Sequence, residues 1–416
     1  MNKKIFFFLT SISFFSLAAH QKPKSLTLDH AIHTGLKKRS ALKALSHTMQ
    51  AIKQEGKASL SKWLPHYAMS TGIEHANGTG IKGTPSFFEF SAKQLVIAGT
   101  TPYDSYAILE DERKSVDAEY HATADRIRFE IEKTFLQTWL LAHQKKSFDY
   151  QSLSTHASFQ QKKAEKKLNL IDTPTWQEVE SNFINSVTEI NNSDQTYQTS
   201  MAHLCFALGK KGLHQYNLIW KPTSLKPLKA VKEYIDQGLQ NRKELAIIDY
   251  KIEAKEKEIS RTLRQYLPSV SLFASVNLQD GYPNTPSSSS NGGLQVSWNV
   301  GNGLSYYFEA ESLRASLAQI NQTRQGLKKQ IINEIITARN NLIVARRNLE
   351  SRGFSLRARH AAWKKKHQEL HLGIITKTDL TQADYQLQQE RFSWITARID
   401  YEISERNLAF ATGYAC

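Results

Sequence analysis

The chain has 416 residues, 54 of them Lys or Arg against 39 Asp or Glu, and two cysteines, too few for a disulfide framework. Its net charge of +15 is spread along helical stretches with no recognition helix or aromatic-basic motif, which argues against a nucleic-acid module. Beyond the N-terminus no stretch is apolar enough for a transmembrane helix; that excludes an inner-membrane bundle, but not a β-barrel, whose alternating strands leave only a weak hydropathy signal.

In chain order, Lys3 and Lys4, the apolar run Ile5–Leu17 and the small residues around Ala18 read as a secretory signal peptide over 1–19. A first unit, 20–209, follows. It is predicted to hold a helix over about 27–62, stopped at Leu64-Pro65, a β-hairpin over about 66–98 with a polar loop at 74–86, and a long helix over about 105–168. A tight break in "LNLIDTPT", at about 169–174, leads into a helix over about 175–208. A polar, Pro-containing connector spans 210–227. The second unit, 228–416, has the same order: a helix over about 228–266 ending at Leu267-Pro268, a hairpin over about 269–304 with a polar loop at 279–293, a long helix over about 309–371, a tip at about 373–378 and a helix over about 379–412.

The two units are copies. "HLCFALG" (203–209) returns as "NLAFATG" (407–413), and the same offset pairs Trp176, Phe183, Ile190, Tyr197 and Leu204 with Leu380, Leu387, Trp394, Tyr401 and Leu408. A nearly equal offset pairs Gly35 with Gly238, Leu42 with Leu245, and Pro65 with Pro268. The seven-residue steps mark a supercoiled seam, as do Leu313, Leu317, Ile320, Leu327, Ile331, Ile335, Ala338, Leu342, Ala345 and Leu349 on the second long helix. Each long helix spans roughly 90 Å at ~1.5 Å per residue. The shorter helices, stacked end to end, match that length, so the connector belongs at mid-height of a helical shaft.

The hairpins alternate. Val270, Leu272, Ala274, Val276 and Leu278 share one face, as do Leu294, Val296, Trp298 and Val300; Ser and Asn fill the other, with Phe273 an exception. In the first hairpin Tyr67, Met69, Thr71 and Ile73, then Phe88, Phe90, Ala92 and Val96, do the same. Such strands suit a wall with lipid on one side and water on the other. Every helix spends its apolar stripe on the supercoil, so nothing remains to cover the strands as an ordinary soluble sheet. Four strands close no barrel, about eight being the practical minimum, so copies of the chain must combine.

This doubled order, with "LTLDHAIHTGLKKRSAL", "LQVSWNVGNGL" and "LHLGIITKTDLTQADYQLQQERFSWITARIDYEISERNLAFATG", resembles the TolC-like outer-membrane efflux proteins over nearly all of the mature chain. The resemblance implies a mainly α chain with a membrane β part: a homotrimer whose four strands per chain make a 12-stranded β-barrel continuing into a long α-helical barrel. It implies an outer-membrane duct with its helices in the periplasm, working with a periplasmic adaptor and an inner-membrane pump of RND or ABC type, and performing no chemistry. Small-molecule or drug efflux leads; the exit duct of type I protein secretion is the alternative. A non-conducting structural coiled-coil protein is the rival from another class, and the hairpin alternation counts against it.

By the same resemblance the adaptor-docking tips fall on Leu168, Asn169 and Leu170 and on Leu372, Gly373 and Ile374. The periplasmic entrance constriction falls on Asp379, with Gln382 where the family has a second acid. The family's gate-bonding aromatic and arginine fall on Leu370 and Ile375, so its lock is not transferable. Asp379 also has a plain role at a helix start. His367 and His371 share a helix face without a third ligand, so no metal site is assigned. The basic runs at 162–167 and 364–366 suit helix C-termini, or meet acidic residues on an adaptor. No catalytic set or cofactor motif is present in the pattern, and no enzyme is expected.

Overall fold

The computed structural model describes residues 24–73, 76–78, 81–83, 86–210, 212–282, 285–298 and 304–414. The signal peptide, Asn299, Val300 and Cys416 lie outside the described residues. The chain opens with β1 (Lys24–Thr27), and Thr27 caps α1 (Leu28–Lys38) by accepting from the His30 amide at 3.4 Å. At Arg39 the backbone leaves the helix (ψ 123°), and α2 (Ser40–Ser61) restarts it. Then come β2 (His66–Ile73), β3 (Ala76–Gly78), β4 (Ile81–Gly83) and β5 (Ser86–Ile97). Helix α3 (Pro102–Lys167) begins with Pro102 behind a Thr101–Asp104 capping box, where proline loses no helical hydrogen bond. It is followed by α4 (Thr173–Ala207), β6 (Tyr216–Ile219), α5 (Val231–Asn241), α6 (Lys243–Arg264), β7 (Ser269–Tyr282), β8 (Thr285–Ser297), α7 (Ser305–His371) and α8 (Lys377–Ala411).

Three features depart from the sequence reading. Each predicted first helix is two, broken at Arg39 and at Arg242 (ψ 115°). The cause is long-range: the Arg39 guanidinium donates to the Phe206 carbonyl at 3.4 Å and to Glu130 at 2.5 Å, and Arg242 donates to the Ala411 carbonyl at 3.3 Å and to Glu334 at 3.0 Å. Each arginine thus donates to a carbonyl in the last turn of α4 or α8. The connector 210–227 carries a strand, β6, which pairs in parallel with β1 through Leu26 and Leu218. Finally, most of the predicted loop 279–293 is strand. The β7–β8 ladder runs through the serines to Gln279 opposite Ser287 and on to Tyr282 opposite Thr285, because pairing outweighs the weak strand propensity of Ser and Gly.

Helix packing at mid-shaft is tight. Leu26, Ile131, Phe135, Met201, Leu204, Cys205 and Tyr216 form one buried cluster, and Leu245, Ile331, Ile335, Leu342, Tyr401 and Leu408 another. Gly35 and Gly238 sit where a Cβ would come within 2.3 Å of Ile131 Cδ1 and Ile335 Cδ1, so any larger residue would have to displace the buried end of that isoleucine. The seam on α7 is buried from Ile331 to Leu349 but half-buried from Leu313 to Leu327. Gly413 ends α8 at φ 77°, with a Cβ position 2.9 Å from the Asn241 carbonyl carbon. Gly413→Ala is therefore expected to cost about 1–2 kcal/mol, read as a lower melting midpoint by circular dichroism in detergent; an unchanged midpoint would show that the turn relaxes freely.

Buried charge ties the two halves together. Glu132 of α3, 1% exposed, accepts from Arg128 and from Arg406 of α8, each at 3.2 Å, and from the Tyr414 hydroxyl at 3.2 Å. Glu402, also 1% exposed, accepts from Arg398 at 2.9 Å and from the Thr223 amide and hydroxyl at 3.0 and 2.7 Å. Arg406 also reaches Glu402 at 3.9 Å. Burial, with the Glu132 carboxylate beside it, pushes the Tyr414 phenol well above its ordinary range.

Candidate functional site: an uncovered apolar sheet face and two helical tips

The four long strands form one antiparallel sheet in the order β2-β5-β7-β8. Its register aligns Met69 with Phe90 and Val276, Thr71 with Phe88 and Leu278, Gln94 with Leu272 and Leu294, and Ile97 with Val270 and Val296. These rows make one apolar face that, among the described residues, no helix covers: Met69, Leu294 and Val296 are 66–70% exposed, and Leu272 and Val276 are exposed too. The described part of Trp298 stands just past the end of β8, at the edge of this face. A bulge between Leu95 and Ile97 puts Ile97, rather than Val96, into the apolar row opposite Val270.

The opposite face is polar. Ala68, Ser91, Ser275 and Asn291 form one row, and Ser70, Glu89, Asn277 and Ser289 the next. Lys93 donates to Gln295 at 3.2 Å across this face. Phe273 and Phe87, the aromatic exceptions, lie over Gly293 and Gly72 of neighbouring strands, whose missing side chains leave room for the rings. Strands β2 and β8 form the two edges of this sheet within the chain.

Where strands meet helices, aromatic rings gather. The Trp298 indole donates to the Tyr266 carbonyl at 2.9 Å, the Tyr266 hydroxyl accepts from the Tyr307 amide at 3.1 Å, and Tyr266 and Tyr306 pack edge to face. Tyr103, Tyr307 and Phe308 are exposed beside them. Such amphipathic rings suit a lipid–water boundary. The hairpin alternation does not single out this cluster; "SYYF" at 305–308 is its signal in the sequence.

At the far end of the helices, the α3–α4 and α7–α8 turns are built alike. Asn169 (φ 56°) and Gly373 (φ 73°) take the left-handed conformation that ends a helix. Leu170 N donates to Glu165 O and Ile374 N to Glu369 O, both at 3.0 Å, closing Schellman turns. Each positive-φ residue is flanked by apolar neighbours thrust into solvent: Leu168, Leu170, Leu372 and Ile374 are 67–74% exposed. Among exposed side chains these are unusually apolar, and the turns that hold them are rigidly hydrogen-bonded.

Asp379 closes a capping box at the start of α8, accepting from the Thr376 amide at 2.9 Å and hydroxyl at 2.7 Å. The Thr376 amide, then its hydroxyl, hold this exposed carboxyl below its ordinary range. Gln382 follows Asp379 by one turn of α8, and its amide oxygen accepts from Ser154 of α3 at 2.7 Å. The ring centroids of His367 and His371 are 4.9 Å apart, and among the described residues no group of three or more ligating side chains is positioned to hold a metal.

Among the described residues no helix is long and apolar enough to cross a membrane. Residues 234–414 match the family described as outer membrane efflux protein. No curated protein matches the chain in sequence. Among solved structures the chain is similar to the Campylobacter jejuni CmeC outer membrane channel (14% identity, TM-score 0.77, covering 93% of this chain and 85% of that one). It is similar to a membrane protein from Pseudomonas aeruginosa (13%, 0.76, 93% of both chains) and to the outer membrane protein VceC from Vibrio cholerae (12%, 0.70, 93% and 96%). The fold is that of these channels. The family match, confined to the second half of the chain, agrees with the TolC-like resemblance.

Proposed function

We propose that three copies of this chain join their sheets edge to edge into a 12-stranded barrel, and that the barrel continues into a helical duct for efflux of small molecules across the outer membrane. The observation that carries this reading is the four-stranded sheet with one uncovered apolar face, one polar face and two edges. In lipid an unpaired edge costs several kcal/mol per backbone group, so each β2 edge requires a β8 edge from a neighbour. The apolar face, with Val270, Leu272, Val276, Leu294, Val296 and Trp298, meets lipid; the polar face lines the water-filled exit. The duct is passive. Energy comes from an inner-membrane pump reached through a periplasmic adaptor, which docks on the tips at Leu168–Leu170 and Leu372–Ile374.

Asp379 and Gln382 narrow the periplasmic entrance in this reading. Asp379 stands at the first turn of α8, a turn from the tip, and its carboxylate charge persists because the cap holds it ionised. Single-channel conductance of the purified oligomer in a planar bilayer tests both duct and constriction. A small, steady conductance that changes on Asp379→Ala is expected. No conductance from a membrane-inserted trimer, with or without its adaptor, would favour a structural envelope protein instead.

A further inference from the structure

We infer that the partner seated on the two helical tips is a protein whose contact surface is acidic around an apolar seat, an inference that rests on the docking role proposed above. The tips present four exposed apolar side chains, and the charges around them are unevenly committed. The acids of the two turns are in use within the chain. Glu165 is paired with Lys162 at 2.7 Å, Glu369 lies between Lys366 at 3.0 Å and Lys365 at 3.9 Å, and Asp172 and Asp379 cap α4 and α8. The cations are in excess. Lys163, Lys167, Lys364 and Lys377 are exposed and form no ion pair within 4.0 Å among the described residues.

Unpaired charge at the turns themselves is therefore positive, set about apolar pairs on rigid turns, with Glu178 and Glu180 the exposed acids further along α4 and Lys163 also lying over the Phe159 ring. A surface that answers it supplies apolar recesses for Leu168, Leu170, Leu372 and Ile374 and carboxylates at their rim. Rim charges of this kind act chiefly on association rate and on salt dependence. An anionic bilayer would answer the charge but not the fixed relief of the paired side chains, so a protein partner is favoured.

The test uses the full-length trimer in detergent and the periplasmic adaptors of the same cell, each purified, with binding followed by surface plasmon resonance at rising salt. For the adaptor that binds, Lys163→Glu, Lys167→Glu, Lys364→Glu and Lys377→Glu together should slow association by about tenfold or more at low salt and flatten its salt dependence. The same four changed to Gln, a milder perturbation of the helix ends, should fall between. Equal rates in all three forms, with binding intact, would overturn the acidic partner and leave the duct standing. Binding to vesicles of anionic lipid, lost in the Glu variant while no adaptor binds, would overturn the protein assignment and the docking role together.

Discussion

Replacing Arg406 with Met is expected to destabilise the chain by about 1–3 kcal/mol, less than the loss of the sole partner of a buried charge. Methionine keeps most of the volume but leaves both Glu132 and Glu402, each 1% exposed, short of a cation. Glu132 retains Arg128 and the Tyr414 hydroxyl, and Glu402 retains Arg398 and Thr223, so the loss is partial. The effect falls on the union of α3 with α8 and with the connector. Arg346→Met, which breaks an exposed pair with Glu350, is the control and should cost under about 1 kcal/mol. Thermal midpoints of the two variants in detergent decide the matter. Equal midpoints would mean that water enters the cluster and screens it.

The second large effect is predicted at the sheet. Val276→Arg places a charge on the apolar face, between Phe90 and Ser290 in its row, and near mid-membrane this costs about 2–4 kcal/mol per chain. In the three-chain barrel proposed above the penalty triples, and trimer in the outer-membrane fraction should fall sharply. Ser275→Arg, one residue earlier and on the polar face, should be recovered at near wild-type level. The reverse pattern would show that the polar face is the one turned outward, and the barrel reading would fail.

Both predictions trace to different kinds of legibility. The apolar face was readable because strand side chains alternate with period two, so burial or lipid exposure of one face imprints itself on the sequence. The bulge at Leu95–Ile97 shifted that imprint by one place, which the pattern of Val96 alone did not reveal. The helical tips were readable as short polar breaks containing Gly or Asn, since a helix ending in the left-handed region selects those residues. The helix breaks at Arg39 and Arg242 are not legible in the pattern, although the two arginines stand at the same offset as Gly35 and Gly238. Nothing in arginine's local preference ends a helix. The break comes from carbonyls on α4 and α8 far along the chain.

The same division holds for Gln382. Its position beside the entrance was inferred from resemblance, but its hydrogen bond to Ser154, 228 residues away in sequence, belongs to the packing of α3 against α8. Asp379 differs, because its capping partner Thr376 is three residues away and the motif is local. By itself the sequence determined what depends on short-range periodicity: the long helices and their seam, the two hairpins, the tips and the uncovered apolar face. Only the tertiary structure decided the helix breaks, the β1–β6 pair, the strand order that joins the two hairpins, and the buried carboxylates shared by both halves. Those features are set by donors and acceptors that meet across the fold, and a hydrogen bond or ion pair between distant residues leaves no period for a linear reading to detect.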